Sequence, residues 1–403
     1  MPYNFDQPID RWNSDSVKYT IFDDHSIIPL WVADTDFLSP TPVIEAIKAR
    51  TDHGVFGYNF DNKPLRELLV QRMATLYNWH ISPDDIVWVP GVVTGFNMAI
   101  RAFGRLGEEV LIQTPVYPPF FPAAPNNGLF TKTAPLTRIQ TDSQISYQFD
   151  ENIFRSAITA GKTKTFLFCN PHNPVGRVWT ESELRCMGEI ALEKDMLIIS
   201  DEIHCDLLFD NHRHIPLASL SPELAKNTVT LMAPSKTFNI AGLGASFAII
   251  QNPAIRARYA EMVGNAGLHV NILGLVAMHA AYEHGGDWLR EVLAYMQANR
   301  DLASNFVREY MPHLPITHPE GTYLSWMDAR AVSLPPNGAY MDMFEPFFLE
   351  KAKVAMNRGA SFGSDGAGFV RINLGTTRAV LQEALERMRS AVMDSAHSSE
   401  VII

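Results

Sequence analysis

The chain has 403 residues, a length that at roughly 150 residues per domain allows two or three domains, or one large α/β enzyme with an appended lobe, and excludes a mini-protein. Hydrophobic residues make up 46% and charged residues 19%, enough apolar surface for a sizeable core and too little charge for global disorder. A net charge of -11, from 33 basic and 44 acidic residues, argues against a chain built to neutralise phosphates, so nucleic acid is not expected as a partner.

In chain order, the start Met1-Pro-Tyr-Asn-Phe-Asp6 is acidic and aromatic and lacks the basic and apolar regions of a secretory signal. Short β-branched runs at Ile86 to Val89, Val110 to Gln113, Thr165 to Phe168, Leu197 to Ser200, Val229 to Met232 and Ser246 to Ile250 read as buried strands. Between them lie helical patterns, of which Glu181 to Lys194 is the clearest. Thr180 and Glu183 offer it a capping box, and Asp195 breaks it. Strands alternating with helices predict a largely parallel sheet covered on both faces, an α/β fold. This core is placed at residues 49–290, with segments 1–48 and 291–403 forming a smaller domain. In that domain Asp287 to Glu309 reads as a helix, Thr322 to Met327 as a strand, Tyr340 to Asn357 as a helix, Phe369 to Asn373 as a strand and Thr377 to Met393 as a helix. Ser333 to Gly338 reads as a surface loop and Ser395 to Ile403 as a frayed tail.

The most apolar stretch, Leu243 to Ile250, is far shorter than the approximately 20 residues that span a bilayer, so no membrane segment is expected. Cys169, Cys186 and Cys205 are odd in number and contain no CxxC, which suits a reducing compartment and predicts a cytoplasmic protein.

Several motif signals fail on inspection. Gly161-Lys162-Thr163 lacks the first P-loop glycine, which would be Ser156, and Gly242-Leu-Gly244 meets Phe247 where a third glycine is needed. His204, Cys205, His212 and His214 match no standard zinc spacing, so no metal is expected.

Four other sites share a logic, since ligands of parallel sheets bind at the carboxyl ends of strands. Asp201 ends one strand and could face a cofactor or cap a helix. Asn170-Pro-His-Asn173-Pro-Val-Gly176 follows another and is a rigid loop or a plain turn. Pro234-Ser235-Lys236-Thr237 follows a third. Desolvation there would make the lysine an imine former or base, while a surface lysine is the commoner fate. Pro90-Gly91-Val92-Val93-Thr94-Gly95 joins a strand to a helix, a turn whose free amides suit a phosphate.

Together, and in this order, Gly91-Val-Val, Tyr117, Asn173, Asp201 and Lys236 resemble the pyridoxal phosphate enzymes of the class I/II aminotransferase superfamily, fold type I. Pro29 to Phe37, Phe56-Gly-Tyr58, Ser200 to His204, Ala233 to Asn239 and Glu320 to Trp326 resemble its C-S lyase branch, the MalY/PatB-like cystathionine β-lyases. The resemblance implies a large domain with a mostly parallel seven-stranded sheet, a smaller α/β domain, and a homodimer with shared sites.

It further implies roles. Lys236 would bind pyridoxal 5'-phosphate as an imine and then act as base at the substrate Cα. Asp201 would pair with the ring nitrogen, Asn173 and His204 with the phenolic oxygen, and Tyr117 would stack on the ring. Amides of Val92 and Val93 would hold the phosphate, with Ser235 and the hydroxyl of Tyr58 from a neighbouring subunit. Arg371 would take the substrate α-carboxylate, and Tyr58 would also border the substrate. The chain departs from the wider family at Ala233, where many relatives have Ser, and at Gly244, where many have a phosphate-binding Arg.

The implied activity is β-elimination on cystathionine or related L-cysteine S-conjugates, giving thiol, pyruvate and ammonia. No second arginine is assigned to a side-chain carboxylate. Two alternatives share the site: an aminotransferase of an L-amino acid, and a pyridoxal phosphate protein with an added regulatory binding role.

Overall fold

Largely apolar runs of four to seven residues, one edge strand excepted, set the architecture of the larger layer. The computed structural model describes residues 3–59, 61–332 and 343–400, without the side chains of 396–400. From one edge, its seven-stranded sheet runs Ile86–Val89, Ser246–Ile249, Thr228–Met232, Leu197–Asp201, Thr163–Cys169, Glu109–Thr114 and Phe130–Pro135. All neighbours are parallel except the two pairs made by Ser246–Ile249. Thr228–Met232 and Ser246–Ile249 are buried at every position, the burden of a strand covered on both faces. Phe130–Pro135 was not among the strands read from sequence. It is an edge strand, mostly solvent-facing, so no buried apolar run marks it.

Helix Val92–Phe103 covers one face of the sheet, with Phe96, Ala99 and Ile100 packed among Ile199, Val229 and Leu231. Gly95 permits this approach, because a Cβ there would stand 2.7 Å from Cδ2 of Leu231. Helix Glu181–Glu193 covers the other face through Leu184, Met187 and Ile190, which meet Phe166, Phe168 and Ile198. Thr180 and Glu183 form the expected capping box, and Asp195, at φ 55°, turns the chain into the next strand.

A six-stranded sheet runs Asn357–Arg358, Phe369–Asn373, Leu324–Asp328, Ile316–Thr317, Gln144–Gln148 and Thr137–Thr141. The last two form a hairpin from the middle of the chain that pairs with Ile316–Thr317. Helices Gly286–Tyr310 and Arg378–Glu400 back this sheet, placing Ala303, Val307, Leu381, Leu385 and Met388 against Val370 and Ile372. Ile28–Pro29 pairs with Val354–Ala355 in a separate ladder, tying the N-terminal segment to this layer.

Two expectations are corrected. The segment Tyr340 to Asn357 is not one helix. Its first three residues and the Ser333 to Gly338 loop lie outside the described residues; the remainder holds a π-helical turn at Phe348–Ala352, then strands Val354–Ala355 and Asn357–Arg358. Lys353, at φ 57°, ends the turn, and exposed Glu350, Lys351 and Lys353 alternate with buried Leu349, Ala352 and Val354 in a way that a helix would also give. The expected tail is helical as far as Glu400, since Arg378–Glu400 continues past Met393. Among the described residues no helix is long and apolar enough to cross a membrane.

Candidate active site

Three adjacent strands, Thr163–Cys169, Leu197–Asp201 and Thr228–Met232, end at the same rim. The loops that follow them therefore converge without further instruction. The resulting cleft is lined by Tyr117, Asn173, Asp201, His204, Ser235 and Lys236, and closed at one end by the Gly91-Val92-Val93-Thr94 turn. Arg371, from the strand Phe369–Asn373, reaches this group, its Nη1 donating to Oδ1 of Asn173 at 3.1 Å. Tyr58 does not. Its side chain is 107% exposed, beside exposed Val55 and Phe56.

The electrostatics follow from burial. Lys236 faces the cleft yet stands below the surface, and desolvation, aided by the Arg371 charge, pulls its amine down to about 8. The carboxyl of Asp201 is 4% exposed and receives the amide of Ile203 at 3.2 Å. Burial outweighs that bond and the nearby Lys236, and pushes it up to about 7. Desolvation, with the charge of Lys236 beside it, holds His204 down to about 3, so its imidazole is neutral at physiological pH, and its Nδ1 is buried without a partner. Arg371 is lowered by burial to about 10. Its Nη2 donates to the carbonyl of Trp31 at 2.8 Å and to Oδ1 of Asn357 at 2.7 Å, while Nε has no partner. Tyr117 packs edge-on against Phe120, leaving a ring face on the cleft wall.

At the other end, helix Val92–Phe103 starts after Gly91, and its first hydrogen bond to Gly91 comes from the amide of Gly95. The amides of Val92 and Val93 are consequently free of intrahelical partners. Ala233 is buried, and Gly244 sits at φ 54°, where a Cβ would come 3.3 Å from the carbonyl oxygen of Pro90. His214, considered with His204 for metal binding, lies elsewhere, its Nε2 2.6 Å from buried Glu202.

What sequence reading missed is the strap at residues 31–37. Ala33 lines the cleft, and its carbonyl accepts from Lys236 Nζ at 2.7 Å and from the hydroxyl of buried Tyr323 at 2.8 Å. Asn239, three residues after the lysine and at φ 56°, accepts from the amide of Thr35 at 3.0 Å and donates to the carbonyls of Thr35 and Phe37 at 2.9 and 2.8 Å. Asn373 donates to the carbonyls of Val32 and Asp34 at 2.5 and 2.7 Å. An ion cluster anchors the outer side, with Arg11 on Asp34 and Asp36 at 2.6 Å each, and buried Lys18 on Asp36 at 2.9 Å. The motifs containing these residues were visible as a resemblance, but no spacing in the sequence assigns them to one strap.

Pyridoxal phosphate fits the residues present. The buried carboxyl of Asp201, in no ion pair among the described residues, would gain a cationic partner in a ring nitrogen that carries a proton, the partnerless Nδ1 of His204 marks polar capacity not used within the chain, and the free amides suit a phosphate.

The chain matches the family described as aminotransferase class I and II over residues 26–388. It is 37% identical to cystathionine beta-lyase PatB of Bacillus subtilis (strain 168) over 394 residues, which cover 96% of this chain and 100% of that relative. Among solved structures, cystalysin from Treponema denticola, which contains a pyridoxal 5'-phosphate cofactor, superposes with a TM-score of 0.91 at 35% identity, covering 98% of this chain and 100% of that one. The PLP-bound C-S lyase from Staphylococcus hominis gives a TM-score of 0.88 at 32% identity, with 97% and 99% covered.

Proposed function

The chain belongs to the class I and II aminotransferase family, and from that premise and the geometry of the cleft we propose a pyridoxal phosphate-dependent carbon–sulfur β-lyase. Its substrate is a small amino acid, cystathionine or a related L-cysteine S-conjugate, cleaved to thiol, pyruvate and ammonia. The observation that carries the reading is the meeting at one cleft of Lys236, its amine lowered by burial to about 8, with the carboxyl of Asp201 and the guanidinium of Arg371, which reaches Asn173 at 3.1 Å. The names of the relatives at 37% and 32% identity support a lyase over the other chemistries of this fold.

Bound pyridoxal phosphate supplies a sink for the electron pair left on the substrate Cα. The chain's own residues do the rest. Arg371 binds the α-carboxylate with its planar fork and fixes which bond at Cα faces Lys236. Lys236, as a neutral amine, takes the Cα proton. Asp201 holds a proton at the ring nitrogen. Asn173 and His204 would hold the phenolic oxygen of the cofactor, Tyr117 would stack on its ring, and the amides of Val92 and Val93, with Ser235, would take its phosphate.

The exposed side chains Val55, Phe56 and Tyr58 are the face that a second copy covers. In this homodimer Tyr58 reaches the neighbour's phosphate and substrate. The core over residues 49–290 then acts as the cofactor-binding domain, with 1–48 and 291–403 as the smaller one, and the net charge of -11 and sparse cysteines suit a cytoplasmic enzyme without nucleic acid or membrane partners.

The test is an end-point assay of cofactor-loaded protein with L-cystathionine and, separately, an S-alkyl cysteine, without an oxo acid. Pyruvate and thiol in equal amounts over many turnovers are expected. Product that appears only when an oxo acid is added, with its amino group transferred, would replace elimination by transamination.

A further inference from the structure

We propose that Tyr323 is a positioning residue for Lys236: the two side chains share one acceptor, the Ala33 carbonyl, and through it Tyr323 fixes where the released amine stands when it takes the Cα proton. This rests on the reading of Lys236 as the group that moves that proton.

The strap makes the Ala33 carbonyl a rigid reference point. The carbonyls on either side are held by distant side chains: Trp31 by Arg371, Val32 and Asp34 by Asn373, and Thr35 and Phe37 by Asn239. Only the Ala33 carbonyl among Trp31 to Thr35 serves the lysine, at 2.7 Å from Nζ. The peptide that carries it cannot rotate without breaking bonds on both sides. Tyr323 completes the restraint. Its residue is 1% exposed, its hydroxyl needs a partner once buried, and it donates to Ala33 at 2.8 Å. A carbonyl has two lone pairs, so the tyrosine occupies one and leaves the other for the amine.

In the step itself the Cα–H bond breaks, an N–H bond forms on Lys236, and the electron pair stays with the substrate carbon. A neutral amine that donates one N–H to Ala33 keeps its own lone pair for the incoming proton. Without Tyr323 the second lone pair is open, the resulting ammonium is held more strongly, and the amine has more positions to occupy. The lysine then becomes a poorer base at low pH and a less well aimed one throughout.

The experiment uses the cofactor-loaded enzyme and Tyr323→Phe, which keeps the ring edge-on to His204. Three quantities are read: exchange of the Cα proton of L-alanine in D2O by NMR, the primary deuterium isotope effect on elimination, and the pH profile of kcat. The expected result is about tenfold slower exchange, a larger isotope effect, an acid limb moved to higher pH and an unchanged KM, with the absorbance of the lysine imine intact. Unchanged exchange and an unchanged pH profile overturn the proposal, as does loss of the imine absorbance, which would make Tyr323 merely structural. Asn373→Ser, which loosens the strap without touching Lys236, should slow exchange in the same way, and normal exchange in it also overturns the proposal. If the unsubstituted protein exchanges the proton but releases no thiol, the lyase reading fails and this inference is judged on exchange alone.

Discussion

Asn239→Ala isolates the joint between the lysine loop and the strap. It removes three hydrogen bonds, to the amide and carbonyl of Thr35 and to the carbonyl of Phe37, all between 2.8 and 3.0 Å. At about 1 kcal/mol net per bond, the loss is about 3 kcal/mol. Alanine must also adopt the left-handed backbone now held by asparagine at φ 56°, which adds about 1 kcal/mol. The sum, about 4 kcal/mol, should appear as a lower urea midpoint at unchanged slope for protein kept at a fixed pyridoxal phosphate concentration. Asn239→Gly relieves the backbone cost alone and should recover about 1 kcal/mol of it. A loss below about 1 kcal/mol for the alanine variant would show that the strap holds without Asn239. Equal midpoints for the two variants would refute the backbone part of the argument.

Three other outcomes follow from the site. Because Lys236 is a base only when neutral and burial sets its amine at about 8, kcat should rise with pH, reach half its maximum near that value and level off above it, as a pH series with buffers of constant ionic strength will show. Asp201 is raised from 3.8 to about 7 in the folded chain, so between these values the folded state binds more protons than the unfolded one, and its contribution to stability is lost as pH rises through that window. Urea midpoints of the cofactor-free protein should carry that downward slope, and added pyridoxal phosphate should flatten it by giving the carboxylate a cationic partner. Finally, mixing inactive Tyr58→Ala and Lys236→Ala proteins should restore about one quarter of the wild-type sites if each site takes Tyr58 from the neighbour, whereas no recovery after subunit exchange would place Tyr58 outside the shared site.

The strand ends were legible because a parallel sheet puts its business at one rim. Once Thr163–Cys169, Leu197–Asp201 and Thr228–Met232 are read as neighbours in an α/β layer, Asn173, Asp201 and Lys236 have nowhere else to meet. The strap was illegible for the opposite reason. Its working groups are backbone carbonyls, identical in every residue, and their donors come from Lys236 and Asn239, about two hundred positions away, and from Tyr323, Arg371 and Asn373, farther still. The helix read over Tyr340 to Asn357 failed because exposed Glu350, Lys351 and Lys353 alternate with buried Leu349, Ala352 and Val354 in a way that a helix would also give, while the left-handed turn at Lys353, φ 57°, leaves no signal in side-chain pattern.

The phosphate end is where a second copy would matter to the chemistry. Of the described residues lining the cleft, only Lys236 is a lysine or arginine, and it is committed to the other end. Gly244 offers no side chain here, and a Cβ added at its φ of 54° would come 3.3 Å from the carbonyl oxygen of Pro90. A phosphate at this turn must then be held by the positive end of helix Val92–Phe103, worth about half a charge, and by hydroxyls such as those of Thr94 and Ser235. That leaves a dianion under-compensated within one chain. A fully exposed Tyr58 beside two exposed apolar side chains is what a chain would keep if the missing donor were supplied across a subunit boundary, and the cofactor's affinity would then be coupled to association itself.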